Sequence, residues 1–430
     1  MNSLTHDSNH PATRERVAII GLGYVGLPIA LRTAQAGYDV VGVEIDPVRF
    51  EGLQHRVSYV EDISDAELTQ AFDGGTFAVV NSISAIERFD IAVVAVPTPL
   101  REGAPDLTFV SRATEELGKL LRSGGCVILE STTYPGTTDE LMVPLLEAAS
   151  GLAARADFHA GFSPERIDPG NEVWTLVTTP KIVSGIDAAS CQRIAAFYSS
   201  IVDQVVPVST PKVAELAKLL ENTYRHVNIA LINELAIYAY DLGIDIWEVV
   251  DAAATKPFGF QRFTPGPGVG GHCLPIDPSY LSWQVRRQLG HAFRFVELAN
   301  DVNEHMPDYV ARRIQLELNE LGLAVKGARV LLLGVAYKKN SSDARESPAG
   351  RVAELLAQLG ADLHVVDPLV PTDYPVIGQR VDLTEAEVDR ADLVVVLTDH
   401  DALDWDLVVN RARRIFDTRN RLKGDHVQRI

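Results

Sequence analysis

The sequence predicts an α/β protein with two doubly wound domains joined by a long central helix. Three observations support this fold class. A strand-like apolar run at residues 17–20 leads directly into a glycine motif and a helical pattern. Strand and helix patterns alternate again from Gly327 to the end of the chain. Between these regions, Pro211 precedes a long series of apolar residues at helical spacing. Each outer region is therefore predicted to form its own parallel sheet covered by helices.

Composition limits the classes of function. The chain has 430 residues, 46% of them hydrophobic, which is enough for two or three globular domains. Its net charge of −19 would repel a phosphate backbone, which argues against a nucleic-acid partner. The cysteines Cys126, Cys191 and Cys273 are far apart and form no Cys-x-x-Cys pair. We therefore expect no disulfide framework and no metal site, in a reducing cytoplasm.

The N-terminal residues and the apolar runs indicate where in the cell the protein is located. Residues 1–15 are polar and lack the apolar run of a signal peptide, so they are interpreted as a flexible tail. The longest apolar runs, such as residues 91–96 and 330–333, have the length of strands. They are far too short to span a membrane. We expect a cytoplasmic protein with no membrane partner.

The glycine motif predicts a dinucleotide site. The sequence GLGYVG at residues 21–26 lies between the first strand and a helical stretch closed by Gly37. A second strand, residues 38–45, carries an acid about twenty residues after the motif, as dinucleotide-binding units require. Glu44 would hold the ribose hydroxyls and repel a 2′-phosphate, which favours NAD over NADP; Asp46 is the alternative acid. An ordinary structural turn is the competing interpretation.

Polar loops follow three further strands. The strand at residues 89–96 ends in the sequence PTP, residues 97–99, and the strand at 126–129 ends in ESTT, residues 130–133. Ligands of parallel sheets bind at the carboxyl ends of strands, so both loops should face the cofactor. Cys126 is predicted to be a core residue. Glu165, in the polar segment after residues 158–162, is either a catalytic carboxylate or an exposed acid in a turn.

The central helix carries three polar residues on one face. Lys218 and Asn222 are four residues apart, and Arg225 follows three residues later. These residues form either a solvated polar stripe or part of a site.

A glycine-rich segment precedes the third cysteine. Within residues 265–281, four glycines precede Cys273: Gly266, Gly268, Gly270 and Gly271. Such a loop can bring backbone N–H groups close to a ligand. Asp277 and Pro278 predict an N-cap and a first helical residue, in a helix that ends near Gly290. The thiol would then precede a helix N-terminus, which favours the thiolate. A buried structural cysteine is the alternative.

The last third of the chain predicts a second doubly wound domain. Strands are expected at residues 328–333, 362–366, 393–397 and 414–416, with a helix that starts in the segment 343–348 and runs through Leu359. This region has no complete G-x-G-x-x-G motif, so it should bind something other than a second dinucleotide. Three cations in strand-end loops would suit a diphosphate: Lys338, Arg345 and Arg419.

Eight motifs in order resemble the nucleotide-sugar 6-dehydrogenases, which include the UDP-glucose and UDP-N-acetylhexosamine dehydrogenases. They are GLGYVG (21–26), PTP (97–99), EST (130–132), SPE (163–165), AELAKLLEN (214–222), GGHCLPID (270–277), GVAYKK (334–339) and RESP (345–348). The resemblance extends from about Val17 to Arg419. It implies a tail at residues 1–15, a Rossmann-like NAD-binding domain at 16–208, and a central helical dimerisation segment with the cysteine loop at 209–325. A Rossmann-like UDP-binding domain would occupy residues 326–430, in a homodimer or higher oligomer.

The resemblance also implies a reaction and its residues. A C6 alcohol of a UDP-sugar would be oxidised to a carboxylate while two NAD are reduced in succession. Cys273 would form the thiohemiacetal and then the thioester. Lys218 and Asn222 would stabilise the oxyanions. Asp277 would activate the hydrolytic water, with Thr132 and Glu165 completing the proton network.

Further contacts are implied for both ligands. The implied cofactor contacts are Gly21, Gly23, Tyr24, Val25, Gly26, Glu44, Arg49, Pro97, Thr98, Thr132 and Arg345. The implied substrate contacts are Glu165, Arg166, Lys218, Asn222, Arg225, Gly266, Gly268, Gly270, Tyr337, Lys338 and Arg419. For the arginine that relatives place shortly before the cysteine loop, Arg262 and Arg225 are the candidates.

The residues around the thiol bear on the sugar. Many relatives carry Asp at the position of Glu44, and the UDP-glucose enzymes have Ser where this chain has His272. The loop is more similar to that of UDP-N-acetylglucosamine 6-dehydrogenases, with UDP-glucose, UDP-N-acetylmannosamine and UDP-N-acetylgalactosamine as alternatives. The residues leave two other functions as alternatives. A single-step hydroxyacid dehydrogenase would not need Cys273, and a non-catalytic regulator would not need Cys273, Lys218 and Asp277 together.

Overall fold

The structure is a computed structural model that describes residues 14–60, 62–101, 103–167, 171, 173–271 and 274–430. His272, Cys273 and nearly all of the predicted tail, residues 1–13, lie outside the described residues. The chain divides into two compact units, Met1–Lys218 and Leu219–Ile430.

The first unit is built on a sheet that has eight strands within the described residues, in the order β10-β9-β8-β7-β4-β1-β2-β3. Neighbouring strands are parallel except β8 and β9. The strands of this unit are β1 Arg16–Ile20, β2 Asp39–Val43, β3 Phe77–Val80, β4 Ile91–Val94, β5 Leu100–Arg101, β6 Ala104–Pro105, β7 Cys126–Leu129, β8 His159–Phe162, β9 Lys181–Gly185 and β10 Val205–Pro207. Its helices are α1 Gly26–Gln35, α2 Pro47–Gln54, α3 Asp65–Asp73, α4 Thr108–Leu120, α5 Val143–Ser150 and α6 Ala188–Ser199, with a 3-10 turn at Ile83–Ala85 and a π-helical turn at Thr138–Met142.

This first sheet is buried on both faces. Successive side chains of a strand point to opposite faces, and those of β1 divide accordingly. Val17 and Ile19 pack in one apolar cluster, whereas Ala18 and Ile20 pack in another. The continuous apolar runs that predicted the strands are therefore explained by helices on both sides. The strand order reverses between β1 and β4. In open parallel sheets, ligands bind at the carboxyl ends of the strands at such a point.

A helix of 31 residues, α7 Pro211–Asp241, begins in the first unit and ends in the second. Its start is tied to the loop after β7 by Glu215, whose side chain is fully buried. One carboxylate oxygen of Glu215 accepts from the Gly136 N–H at 2.6 Å, and the other accepts from the Thr138 N–H at 2.9 Å and the Thr138 hydroxyl at 2.7 Å. The predicted helix from Pro211 is confirmed.

The second unit contains a sheet that, in the described part of the chain, has six parallel strands in the order β13-β12-β11-β14-β15-β16. They are β11 Arg329–Leu333, β12 Asp362–Val366, β13 Gln379–Arg380, β14 Leu393–Val396, β15 Ile415–Asp417 and β16 Val427–Arg429. The helices are α8 Ile246–Ala254, α9 Asp277–Leu289, α10 Arg294–Glu320, α11 Pro348–Gln358, α12 Glu385–Arg390 and α13 Trp405–Arg411. The order reverses between β11 and β14. The predicted fold class, with two Rossmann-like domains, is confirmed.

One predicted helix cap is wrong. Asp277 is not the N-cap of α9; it is the first helical residue, and no side chain caps the preceding Ile276. The helix α11 begins at Pro348, within the predicted segment 343–348, and Ser347 accepts from the Ala349 N–H. Proline fixes the backbone of the first turn in both helices, but sequence spacing does not show which neighbour acts as the cap.

Two smaller expectations can be compared with the fold. Cys126 is fully buried in β7, and burial raises the pKa of its thiol to about 12, so its interpretation as a core residue is confirmed. No helix among the described residues is long and apolar enough to cross a membrane.

Candidate active site

The glycine motif after β1 leaves space for a dinucleotide. Gly21 has a φ of +91°, and a Cβ atom there would lie 2.6 Å from the Ala95 carbonyl oxygen. A Cβ at Gly26 would lie 1.8 Å from the Gly21 carbonyl oxygen, so α1 can start close to the strand only with glycine. At Gly23, in contrast, a Cβ would meet nothing within 4 Å. The open space beside Gly23, at the N-terminus of α1, suits a pyrophosphate.

The acid after β2 has a defined environment. Glu44 is nearly fully buried, and its Oε1 accepts from the Asp46 N–H at 2.9 Å. The Tyr59 hydroxyl lies 3.3 Å from Glu44 Oε2 and 2.7 Å from the Leu22 carbonyl oxygen. Burial, and then the charge of Glu44, raise the pKa of Tyr59. Tyr59 therefore holds Glu44 beside the glycine motif. The Arg49 guanidinium lies over the Tyr59 ring, 5.2 Å from the ring centroid.

Asp46, the alternative acid, is a helix cap. Asp46 caps α2, since its Oδ1 accepts from the N–H groups of Val48 at 2.9 Å and Arg49 at 3.0 Å. Glu44 is therefore the better candidate for the ribose.

The two strand-end loops meet. The Thr98 hydroxyl donates to the Thr132 carbonyl oxygen at 2.8 Å, and the Ser131 hydroxyl donates to that of Val96 at 2.7 Å. These contacts join the loops after β4 and β7 at the carboxyl edge of the sheet. Thr98, Thr132 and the glycine motif thus belong to one edge, as the sequence predicted.

Glu165 and Lys218 also meet. Lys218 Nζ donates to the backbone carbonyl oxygen of Glu165 at 2.5 Å, and the two residues are only 8% and 9% exposed. Burial raises the pKa of the Glu165 carboxyl, and the charge of Lys218 opposes that shift. Glu165 is thus no exposed turn acid. The neighbouring Arg166 donates from Nη1 to the Pro180 carbonyl oxygen at 2.5 Å.

Asn222 and Asp277 form a second pair. Asn222 Nδ2 donates to Asp277 Oδ2 at 2.6 Å, and Asp277 is only 3% exposed. Asn222 follows Lys218 by one helical turn on α7, whereas Arg225 on the same helix is exposed. The predicted polar face therefore divides. Its first two members contact other candidate residues, and its third lies at the surface.

The glycine-rich loop packs against the ends of the second sheet. The Gly266 N–H donates to Asn233 Oδ1 at 3.0 Å, and a Cβ at Gly266 would lie 2.9 Å from Arg419 Nη1. A Cβ at Gly271 would lie 2.7 Å from the Tyr337 ring. The loop therefore lies at the carboxyl ends of β11 and β15, next to Tyr337 and Arg419.

The other candidate cations of the second unit have these contacts. Arg419 donates from Nε to the Leu397 carbonyl oxygen at 2.7 Å. Arg345 pairs with Asp343 at 2.7 Å, and Lys338 is half-buried beside Tyr337. Arg262, a candidate for the arginine before the cysteine loop, is paired with Asp251 at 2.8 Å.

Gly268, another candidate substrate contact in the glycine-rich loop, is also closely packed. A Cβ at Gly268 would lie 3.1 Å from the Asn303 carbonyl oxygen.

Sequence reasoning missed Asn233 and Lys181. In the second unit, Asn233 holds the start of the glycine-rich loop. In the first unit, Lys181 forms a buried ion pair with Glu130 near Glu165. Their partners are distant in the chain, and a single Asn or Lys beside apolar residues carries no recognisable pattern. Over the described ranges, no three His, Cys, Asp or Glu residues are grouped so that they could hold a metal ion.

Known protein families match all three regions of the chain. Three models of the UDP-glucose/GDP-mannose dehydrogenase family match in order: its NAD binding domain at residues 15–202, its central domain at 212–305 and its UDP binding domain at 331–424. The chain belongs to this family. It is an NAD-dependent UDP-sugar dehydrogenase, an oxidoreductase. The resemblance and the predicted cofactor are confirmed.

Individual relatives cover nearly all of the chain. The UDP-N-acetyl-D-mannosamine dehydrogenase of Pyrococcus horikoshii is 33% identical over 414 residues, 95% of this chain and 96% of the relative. The UDP-N-acetyl-D-glucosamine 6-dehydrogenase of Pseudomonas aeruginosa is 38% identical over 360 residues, 83% of this chain and 84% of the relative. The solved structure of the Pyrococcus horikoshii UDP-D-ManNAc dehydrogenase has a TM-score of 0.87 at 32% identity, covering 96% of this chain and 99% of its own.

The position of Glu44 leads to a prediction about NAD. Glu44→Ala should weaken NAD binding by about 10- to 100-fold, because a hydrogen bond to a charged group contributes about 1.5–3 kcal/mol. Isothermal titration calorimetry with NAD measures this change. Asp46→Ala is the matched control; it should lower stability by about 0.5–2 kcal/mol through loss of the cap, with little change in NAD affinity. The reverse pattern would assign the ribose to Asp46.

Proposed function

We propose that this enzyme oxidises the C6 hydroxyl of UDP-N-acetylglucosamine to the carboxylate, in a four-electron reaction that passes through a thioester on Cys273. The observation that carries the proposal is the 2.6 Å contact between Asn222 and Asp277. It joins a donor from the central helix to a carboxylate only four residues after the thiol in the chain. An amide donor and a buried carboxylate are the groups needed for an oxyanion and for a hydrolytic water.

The order of steps follows from the chemistry of the carbon. Two NAD, bound in succession, would each supply the acceptor for one hydride, one in each oxidation. The first oxidation of the alcohol gives an aldehyde, which has no hydroxyl from which a second oxidation can start. The Cys273 thiolate adds to the aldehyde carbon, and the resulting thiohemiacetal can be oxidised to a thioester. Water then attacks the thioester carbon, the C–S bond breaks, and the carboxylate and the thiol are released.

Lys218 is suited to the charge that develops on the C6 oxygen. Its ammonium group has three donors, of which one is directed to the Glu165 carbonyl oxygen. The others can meet an oxyanion, and Asn222 can act from the next turn of the same helix. Asp277 would orient the hydrolytic water and take its proton. Glu165 and Thr132, on the loops after β8 and β7, would complete the proton network.

Relatives support the choice of sugar. One relative named for UDP-N-acetyl-D-glucosamine is 38% identical over 83% of this chain, and one named for UDP-N-acetyl-D-mannosamine is 33% identical over 95%. These sugars differ only in configuration at C2, so the contacts around C2 must discriminate between them. A steric difference of this kind contributes about 1–3 kcal/mol. We infer a preference for UDP-N-acetylglucosamine, with UDP-N-acetylmannosamine, UDP-N-acetylgalactosamine and UDP-glucose as the alternatives.

Two measurements test this function. Counting NADH per UDP-sugar consumed should give about two, as four-electron oxidation requires. Values of kcat/KM for the four UDP-sugars should be highest for UDP-N-acetylglucosamine, by about tenfold. A ratio of one NADH would refute the thioester route, and a clear advantage for another sugar would reassign the substrate.

The proposed nucleophile leads to a second prediction. Cys273→Ala should lower turnover to the carboxylate by at least about a thousandfold, while the affinities for NAD and UDP-sugar change little, because the thiol acts after both ligands are bound. NADH formation and calorimetric binding measure the two effects. Cys191→Ala, a half-buried cysteine on α6, is the control and should retain activity. Wild-type turnover in Cys273→Ala would exclude covalent catalysis.

The late step can be isolated with Asp277. Asp277→Asn should fold normally, because Asp277 does not cap α9 and an asparagine oxygen can still accept from Asn222. Loss of the base should slow thioester hydrolysis by about 100-fold or more, so that the sugar accumulates on the protein. Intact-mass spectrometry should detect that adduct. Asp251→Asn, an exposed aspartate on α8, serves as control, and normal turnover of Asp277→Asn without an adduct would leave Asp277 a structural role.

We infer that the family's central region, within the proposed segment 209–325, also joins two copies of the chain. The side chains on α7 that support this form one apolar stripe, each 43% to 64% exposed: Leu216, Leu220, Tyr224, Leu231, Leu235 and Tyr238. Their spacing of three, four or seven residues places them along one side of the helix. An exposed apolar stripe of this length is typical of a surface that is covered by a protein partner.

The double variant Leu220→Glu/Leu231→Glu should therefore shift the protein from dimer to monomer. Two carboxylates would be buried in an apolar interface without partners. Light scattering coupled to size-exclusion chromatography measures the mass. Leu359→Glu, a similarly exposed leucine after α11, is the control and should leave the mass unchanged. A wild-type protein that is already monomeric at micromolar concentration would refute the inference.

A further inference from the structure

A buried ion pair lies next to the turn that carries Glu165. Lys181 is the first residue of β9, and Glu130 directly follows β7; they are only 3% and 1% exposed. Lys181 Nζ donates to Glu130 Oε1, and the Tyr198 hydroxyl on α6 donates to Glu130 Oε2 at 3.1 Å. Desolvation of two buried charges commonly offsets their attraction, so such a pair is weak evidence for stability alone.

Lys181 also contacts the Glu165 turn directly. Its Nζ donates to the Pro164 carbonyl oxygen at 3.1 Å and lies 4.0 Å from Glu165 Oε2. The other oxygen of that carboxyl, Oε1, accepts from the Ile167 N–H. Oε2 itself is buried and accepts no hydrogen bond from a described residue. The ammonium group therefore acts on this oxygen through its charge.

The charges of four buried groups, Lys181, Lys218, Glu130 and Glu165, balance only if Glu165 is ionised. Lys181 Nζ on β9 lies between Glu130 and the Glu165 carboxyl, and Lys218 Nζ on α7 donates to the Glu165 backbone carbonyl. Arg166 adds a positive charge in the same turn. With Glu165 neutral, the buried cluster would hold two ammonium groups against one carboxylate, and an unpaired buried charge is strongly unfavourable.

Burial acts against these charges. Burial raises the pKa of Glu165, whereas the charges of Lys218 and Arg166 lower it. Burial first, and then the charge of Lys218, lower the pKa of Lys181. Burial also raises the pKa of Tyr198, which stays a neutral donor to Glu130. The contact with Glu130 is what favours the ammonium form of Lys181.

We propose that Lys181, held by Glu130 and Tyr198, is a positioning residue that fixes the Glu165 turn through the Pro164 carbonyl and keeps the Glu165 carboxyl ionised at neutral pH. This inference rests on the proposed function, in which Glu165 takes part in the proton network. An ionised Glu165 can accept a proton released at the sugar, and a neutral one cannot. The buried pair thus prepares Glu165 for its role without touching the substrate.

The variant Lys181→Gln/Glu130→Gln tests the role of the pair. It removes both charges and keeps groups that can hydrogen-bond to each other and to Pro164. Losing the positive charge of Lys181, which lies 4.0 Å from Glu165 Oε2, should raise the pKa of Glu165. The acidic limb of the pH profile of kcat/KM should then move up by about one pH unit. At pH 7, kcat should fall about tenfold, while the KM for NAD stays within about twofold.

A matched control and a direct titration complete the test. Ser184→Ala removes another buried polar group of β9, whose hydroxyl donates to the Phe162 carbonyl oxygen at 2.8 Å. It should leave the pH profile unchanged. Infrared difference spectra against Glu165→Gln report the protonation of Glu165 without any turnover. In the wild type, the protonated-carboxyl band of Glu165 should be absent at pH 7 and should grow at higher pH in the double variant.

Each outcome is decisive. A wild-type Glu165 that is protonated at pH 7 overturns the proposal, even if the double variant does not fold. So does a double variant whose pH profile and infrared titration match those of the wild type. If the wild type oxidises no UDP-sugar, the proposed function fails, and the infrared titration still decides the role of Lys181.

Discussion

The hydrogen bonds of the Glu215 carboxylate are the constraint on which the candidate site depends. This buried group accepts from Gly136 and Thr138 and thereby ties the start of α7 to the loop after β7. Lys218 lies three residues later, so its reach to the Glu165 carbonyl follows from where Glu215 is held. A buried carboxylate that lost these donors would be strongly unfavourable. The sequence of α7 thus places a structural acid about one turn before Lys218, the proposed oxyanion donor.

The same helix organises the residues further along. Asn222 donates to Asp277, and Asn233 accepts from the first glycine N–H of the cysteine loop. Glycine is needed at positions 270 and 271 because the Glu346 carbonyl oxygen and the Tyr337 ring already occupy the space that a Cβ would fill. Donors that stabilise an oxyanion must be in place before charge develops.

The candidate acids Glu165 and Asp277 differ in how many charged groups are buried around them. Around Glu165, two lysines and two carboxylates are removed from water together, so each protonation state depends on the others. Near Asp277, in contrast, the side chain of Asn222 supplies a neutral amide donor.

The sequence alone determined the fold class, the NAD motif, the central helix and the motif order that identified the family, because these depend on local spacing and on residues that are close in the chain. Cys126 was also interpreted correctly from its place in an apolar strand. Only the tertiary structure decided that Asp46 caps a helix, that Asp277 does not, and that Glu130 and Lys181 are paired. Those facts depend on contacts between distant segments and on burial. The balance between desolvation and pairing is set by the packed neighbours, which no local pattern records.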